Sequence, residues 1–446
     1  MRIQFWGTRG SLARPGPATL RYGGNTSCVE ANGPDGTLIV LDCGTGAYDL
    51  GQRLVASRPG PIRGHLLISH THWDHIQGFP FFAPLFAPDN EWDVYAPSGR
   101  GQRLEETLAG QMEYAYFPVT LGQLGATIRY HDLGEGAFEL GAVHVTARYL
   151  NHPGIALAYR LEADGAAFVY ATDHEPHSPY PRLGDSAEDE VHLEDRRHIE
   201  FLAGAQLVIH DSQYTLEEYR QRMTWGHSPV ERVVDFALAA RAERLALFHH
   251  DPLRTDDALD RLVDLARARA ADAGSSLDVS AAFEGQVIEL GARAPSAEGL
   301  PAAPESLGSA HLDGPATILM VDDDPAIIDL LSLAFRGDGF RLLSASDGET
   351  ALAMARAEPP DLVLLDWSMP RRNGLEVCRA LRADTNPKLR EVPVVMLTVQ
   401  NEREDTTAGF AAGASDYVVK PFKLAHVRTR VHAWLLRSRR ARSAEV

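Results

Sequence analysis

His70-Thr-His-Trp-Asp-His75 places four potential metal ligands within six residues. The preceding apolar run, Leu66-Leu67-Ile68, reads as a short buried strand that delivers its last residues to a loop. His70 and His72, two apart, can turn their imidazoles into one site, while Asp74 and His75 face a second. Imidazole nitrogens and carboxylate oxygens suit zinc and its first-row neighbours. A structural zinc site is usually closed by thiolates, and no cysteine lies in this stretch. Two sites opened here need further ligands from elsewhere in the chain.

Such ligands recur where strands are expected to end. His152 stands in Tyr149-Leu-Asn-His-Pro-Gly154, before a strand, and Asp173 in Val169-Tyr-Ala-Thr-Asp-His174, after one. His249 follows the strand-like Leu245-Ala-Leu-Phe248, with His250 and Asp251 behind it. In this order the motifs resemble those of the metallo-β-lactamase-fold hydrolases, over roughly residues 1–290. The resemblance implies an αββα sandwich with the metals at one edge between two sheets. It implies that His70, His72 and His152 hold one divalent ion (zinc, manganese or iron). Asp74, His75 and His249 hold a second, and Asp173 bridges both. His250 is the rival to His249, which comes first after the strand. Two such ions lower the pKa of water and polarise a substrate oxygen.

Within that superfamily the chain resembles ribonuclease Z and its small-molecule phosphodiesterase relatives. Leu207-Val-Ile-His-Asp-Ser212 and Trp225-Gly-His-Ser-Pro229 carry this likeness. It implies that His227 protonates the leaving group and that Asp211 orients it, with Asp74 also in the catalytic set. Asp211 stands where ribonuclease Z has Glu. The glycine-rich turns Gly7-Thr-Arg-Gly-Ser11 and Tyr22-Gly-Gly-Asn-Thr-Ser27 line the site in such relatives. The segment from Phe79 to Phe117 reads as an inserted lid or wall without regular structure. Its Phe81, Phe82, Phe86, Trp92, Tyr95, Tyr114, Tyr116 and Phe117 offer stacking surface for a base.

The 446-residue length predicts two domains, and 44% hydrophobic with 23% charged residues is a globular composition. Residues 291–314, rich in Ala, Pro, Gly, Ser and Glu, read as a flexible linker. Beyond them a regular β-α-β-α rhythm predicts a parallel, doubly wound, flavodoxin-like sheet covered by helices. Asp322, Asp323 and Asp366 end strands in this half, Thr398 ends another, and Lys420 precedes Pro421-Phe422. Residues 315–438 resemble the receiver domain of response regulators. That resemblance implies Asp366 as phosphoryl acceptor, with Asp322, Asp323, Asp366 and the Ser368 carbonyl around Mg²⁺. Lys420 would pair with the phosphate, and Thr398 with Tyr417 would form the switch. Residues 439–446 read as a basic tail.

A net charge of −18 repels polyanions at long range, which argues against nucleic acid as the main partner. No apolar run is long enough to span a bilayer, no signal peptide opens the chain, and three cysteines suit a reducing cytoplasm. The expectation is a cytoplasmic binuclear metal phosphodiesterase acting on a cyclic nucleotide or another small cyclic phosphodiester. Aspartyl phosphorylation by a cognate sensor histidine kinase would regulate it, and a homodimer is compatible with the receiver. The rival readings are a lactonase or thioesterase on the same metals, and a non-catalytic nucleotide-sensing module.

Overall fold

The computed structural model describes residues 1–57, 60–97, 103–177, 192–291, 315–399, 412–422 and 424–443. The chain divides into two compact units, Met1–Ala310 and His311–Val446. The expected linker falls almost wholly outside the described residues.

In the first unit, β1 (Arg2–Gly7), β2 (Cys28–Asn32), β3 (Leu38–Leu41), β4 (Arg63–Leu67), β5 (Glu91–Pro97) and β6 (Thr127–Leu133) belong to one sheet. A second sheet holds β7 (Gly136–Leu140), β8 (Val143–Tyr149), β9 (Leu157–Ala163), β10 (Ala166–Ala171), β11 (Leu207–Asp211), β12 (Arg244–Phe248) and β13 (Asp278–Ala281). The short β14 (Val287–Glu289) returns to pair antiparallel with β1, giving orders β14-β1-β2-β3-β4-β5-β6 and β13-β12-β11-β10-β9-β8-β7.

The sheets face one another. Phe5 of β1 packs on Phe248 of β12 with ring centroids 6.0 Å apart, and the Tyr159 hydroxyl of β9 donates to the Ile68 carbonyl at 2.7 Å. Outward residues are covered by helices. Period-2 alternation turns Val169 and Ala171 of the fully buried β10 toward Val233, Phe236 and Leu262 of helices Val230–Ala239 and Asp256–Asp272. Leu50 and Leu54 of helix Ala47–Ser57 pack with Val40, Leu66 and Trp92 on the other sheet. This is the expected αββα arrangement.

The stretch Phe79–Phe117 corrects the sequence reading. It contains two 3-10 turns, the seven-residue strand β5 and helix Leu104–Gln111. Trp92, Phe79 and Phe82 are fully buried, and Tyr95 stacks on His131 and Phe138. Glu91 and Asp93 alternate with the apolar Trp92 and Val94, a period-2 signal that the many Phe and Pro residues obscured. Among the aromatics read as a wall, Phe81, Phe86, Tyr114 and Tyr116 are exposed, and Phe81 meets Phe117 edge-on at 5.2 Å.

The second unit is a five-stranded parallel sheet of β15 (Thr317–Val321), β16 (Arg341–Ala345), β17 (Leu362–Asp366), β18 (Val394–Val399) and β19 (Asp416–Lys420), in the order β16-β15-β17-β18-β19. Leu331 and Phe335 pack with Val427, Val431 and Leu435 of the last helix over one face. That helix runs Leu424–Ser443, past residue 438 where the sequence suggested a tail. Two arginines of this last helix are committed inside the unit. Arg430 Nη1 donates to Asp416 at 2.6 Å, and Arg428 Nε to Asp338 at 2.7 Å.

Candidate metal centre

The ligand-rich stretch begins where β4 ends. His72 keeps an extended backbone as N-cap of the single-turn helix Trp73–Ile76. That turn aims Asp74 and His75 into the interior and leaves Trp73 in solvent. The opposite sheet supplies the rest from the ends of its own strands: His152 after β8, Asp173 after β10, His249 after β12. Asp173 and His249 hold left-handed backbones at φ 53° and 57°, a conformation sparsely populated by such residues and found where a site imposes it.

Two ligand groups share Asp173, each with all its donor atoms within 4.8 Å of one another: His70, His72, His152 and Asp173, and Asp74, His75, Asp173 and His249; a third set, Asp211, His227 and His249, overlaps the second through His249. In the first, His152 Nε2 lies 3.1 Å from His72 Nδ1, and His70 Nε2 lies 3.5 Å from Asp173 Oδ2. In the second, His249 Nε2 is 3.1 Å from both Asp74 Oδ2 and Asp173 Oδ1, and His75 Nε2 is 3.3 Å from Asp173 Oδ1. The two Asp173 oxygens are thus divided between the groups. His250 turns away and directs Nε2 to the Ala282 carbonyl at 2.9 Å.

These residues fit a pair of metal ions. His70 Nε2 and His75 Nε2 are buried without a well-formed hydrogen bond. Burial pushes the His70 and His152 imidazoles well below the usual histidine range, so they are neutral, as ligands must be. Burial alone would favour a protonated Asp173, but His249 first and then His75 hold it well below the usual carboxylate range.

The ligands are themselves oriented. Asp42 accepts from His75 Nδ1 at 2.7 Å, from the Ser69 hydroxyl at 2.9 Å and from the Tyr170 hydroxyl at 2.6 Å. With its proton on Nδ1, His75 presents Nε2 to the site. His152 Nδ1 donates to the Gly226 carbonyl at 3.0 Å, and the Ser11 amide donates to Asp74 Oδ2 at 2.6 Å. Asp42 is not among the residues singled out from the sequence, although an acid directly after a buried strand is a signal for such a role.

Asp211 and His227 also meet here. His227 Nδ1 lies 3.1 Å from Asp211 Oδ2, and its ring stacks 5.0 Å from that of His249. Close approach of loop and strand brings the short Asp211 side chain within reach of His227, and the Ser228 amide also donates to it at 3.2 Å. Burial opposes charge on His227, but Asp211 first, then Asp173 and Asp74, push its pKa up to about 9.

In the second unit, Asp322, Asp323 and Asp366 offer oxygens within 4.8 Å of one another at the carboxyl edge of the sheet. Lys420 Nζ donates to Asp322 and Asp366 at 2.6 Å each, and the Ser368 amide donates to Asp366 at 2.9 Å. Burial opposes the ammonium charge, yet these two carboxylates raise the Lys420 pKa. Thr398, half-buried, is the last but one residue of β18, and Tyr417 is the second residue of the neighbouring β19.

Residues 37–250 match the beta-lactamase superfamily domain, and residues 318–432 match the response regulator receiver domain. The chain therefore joins a metallo-β-lactamase-fold domain to a response regulator receiver domain. Its receiver half is 46% identical over 121 residues to the DNA-binding response regulator MtrA of Mycolicibacterium smegmatis, covering 27% of this chain and 51% of that protein. The chain spans about half the length of the curated relatives it matches. Among solved structures, the metallo-β-lactamase fold protein YhfI of Bacillus subtilis is 18% identical, over 65% of this chain and 99% of that one, with TM-score 0.45. The short form of human tRNase Z is 20% identical, over 65% and 100%, with TM-score 0.43. Among the described residues no helix is long and apolar enough to cross a membrane.

Proposed function

We propose that the first unit is a binuclear metal phosphodiesterase for a cyclic nucleotide or another small cyclic phosphodiester, and that phosphorylation of Asp366 regulates it. The observation that carries this reading is the Asp211–His227 pair, 3.1 Å apart and beside the ligand set. Two divalent ions bound there would supply Lewis acidity and lower the pKa of water. His70, His72, His152 and Asp173 would hold one, and Asp74, His75, His249 and Asp173 the other.

The chain's own groups do the rest. Asp211 takes the Nδ1 proton of His227 as its hydrogen-bond partner, so the proton available to a leaving alkoxide is the one on Nε2. An ester with a poor leaving group needs that donor. A lactone or thioester opened on the same metals has less use for it, which favours phosphodiesters. The net charge of −18 supports a small substrate over a long RNA, which needs basic surface. Stacking of a base would rest on Phe81, Phe86, Tyr114 or Tyr116, since Trp92, Phe82 and Tyr95 belong to the core.

In the receiver, Asp366 would accept the phosphoryl group from a sensor histidine kinase, with Mg²⁺ held by Asp322, Asp323 and Asp366. The charge of Lys420 offsets that of the phosphorylated residue. The Ser368 carbonyl as Mg²⁺ ligand and the Thr398–Tyr417 switch belong to the same proposal.

Turnover of cyclic mononucleotides and other cyclic phosphodiesters by the purified chain tests the reading. His227→Ala should lower kcat far more than KM, because a proton given only in the transition state does not affect substrate binding. Efficient cleavage of a lactone or thioester, with no phosphodiester turned over and His227→Ala harmless, would replace the proposal.

A further inference from the structure

Glu175 lies two residues beyond Asp173, buried at 2% exposure, and belongs to none of the ligand groups. Its carboxylate accepts from the Thr224 amide at 2.6 Å, the Gly226 amide at 2.8 Å and the Tyr219 hydroxyl at 2.8 Å. The Glu175 backbone is tied down as well: its amide donates to the Asn151 carbonyl at 2.8 Å, and Asn151 Nδ2 donates back to the Glu175 carbonyl at 2.8 Å.

The segment it grips is not relaxed. Thr224 has φ 73° and Gly226 φ 88°, so two left-handed residues flank Trp225. A Thr there is unfavourable unless its surroundings hold it. A Cβ at position 226 would sit 2.3 Å from His152 Nδ1, so the backbone presses directly on a ligand ring. The Gly226 carbonyl then receives the His152 Nδ1 proton at 3.0 Å, and the next residue is His227.

We infer that Glu175 is a positioning residue, a buried clamp on Thr224–Gly226 that aims His152 at the first metal site and His227 at the reacting centre. One carboxylate thereby sets both a ligand and the proton donor. The His227 half of this inference rests on the proposed phosphodiesterase reading. The His152 half rests only on metal binding.

The test is Glu175→Gln in the full chain. The amide keeps the shape but offers one acceptor oxygen, so its NH2 must face a backbone N–H of Thr224 or Gly226. Amide hydrogen exchange over residues 224–228 should accelerate, and zinc affinity, measured by competition with a chromogenic chelator, should fall about tenfold or more. With metal restored to saturation, kcat on a cyclic nucleotide should fall at least about tenfold more than on bis(p-nitrophenyl) phosphate, whose leaving group needs no proton. A general loosening of the fold would lower both rates alike. If Glu175→Gln folds poorly, Glu175→Gln/Thr224→Gly removes the left-handed penalty and should recover part of the exchange protection and zinc affinity. Unchanged exchange and zinc affinity in Glu175→Gln overturn the inference. If the wild type cleaves no cyclic nucleotide, the phosphodiesterase reading fails, while exchange and affinity still judge the clamp.

Discussion

Replacing Asp211 by Asn should turn His227 from a charged imidazolium into a neutral imidazole across the physiological range. The rise of the His227 pKa from 6.5 to about 9 corresponds to about 3 kcal/mol in favour of the charged form, at about 1.4 kcal/mol per pH unit. Burial pulls the other way, so the carboxylates provide more than the net figure. Asp173 and Asp74 share the task only while no metal neutralises them. Asp211, outside both ligand groups, remains the principal partner once they are loaded. In metal-free wild type the His227 ring protons, followed by NMR, should titrate near pH 9. In Asp211→Asn they should titrate at clearly lower pH, because burial is then opposed only by Asp173 and Asp74. Because the folded pKa is raised, the stability given by this pair is complete below about pH 6.5 and is lost as pH rises through about 9. Wild-type metal-free protein should therefore lose up to about 3 kcal/mol over that window relative to Asp211→Asn in parallel urea titrations. In the loaded enzyme the variant's alkaline rate limb should move to lower pH. An unmoved His227 titration in Asp211→Asn would refute the assignment of Asp211 as its partner.

Other expectations are simpler to state. His72→Ala should reduce bound metal, by elemental analysis, from about two ions per chain to about one, and lower turnover by orders of magnitude while Asp366 still accepts phosphate. Asp42→Asn leaves one acceptor oxygen, so its NH2 must face either His75 Nδ1 or the Ser69 amide, and it should weaken metal binding by roughly 10- to 100-fold in a chelator competition. A small phosphodonor with Mg²⁺ should add one phosphate by mass to the wild type and none to Asp366→Asn. Trp92→Ala empties a fully buried site against Phe82 and should destabilise the first unit by about 3–5 kcal/mol in chemical denaturation.

Most of the site could be read because its ligands are polar residues closing apolar runs, a break visible without a structure. His152, Asp173 and His249 each follow such a pattern, and β8, β10 and β12 stop within three residues before them. The first-layer arrangement was therefore legible, including the preference for His249 over His250. What supports it was not. Asp42 and Glu175 act through hydrogen bonds to residues 33 and 49 or more positions away, and such partners follow from topology alone. Strands such as β6, β7 and β16 are hard to read from sequence because mixed polar stretches such as Thr127-Ile-Arg-Tyr-His-Asp-Leu133 blunt the alternation. The aromatic wall failed for a related reason. Bulky residues in a Pro-rich stretch look the same whether they face solvent or a sheet, and burial of Trp92 depends on Gly64, whose missing side chain leaves space for the indole ring.

The two sheets contribute to the ligand groups unequally but jointly: residues 70–75 come from one, and His152, Asp173 and His249 from the other. Any ion seated there rivets sheet to sheet at the open edge of the sandwich. Binding that requires both halves in register stabilises the folded chain by RT ln(1 + [M]/Kd), about 4 kcal/mol when free metal exceeds Kd a thousandfold. The lifetime of this domain in a cell is then set partly by the supply of metal. On that reading, chelation should speed cleavage of the domain by an added protease, and restored metal should slow it.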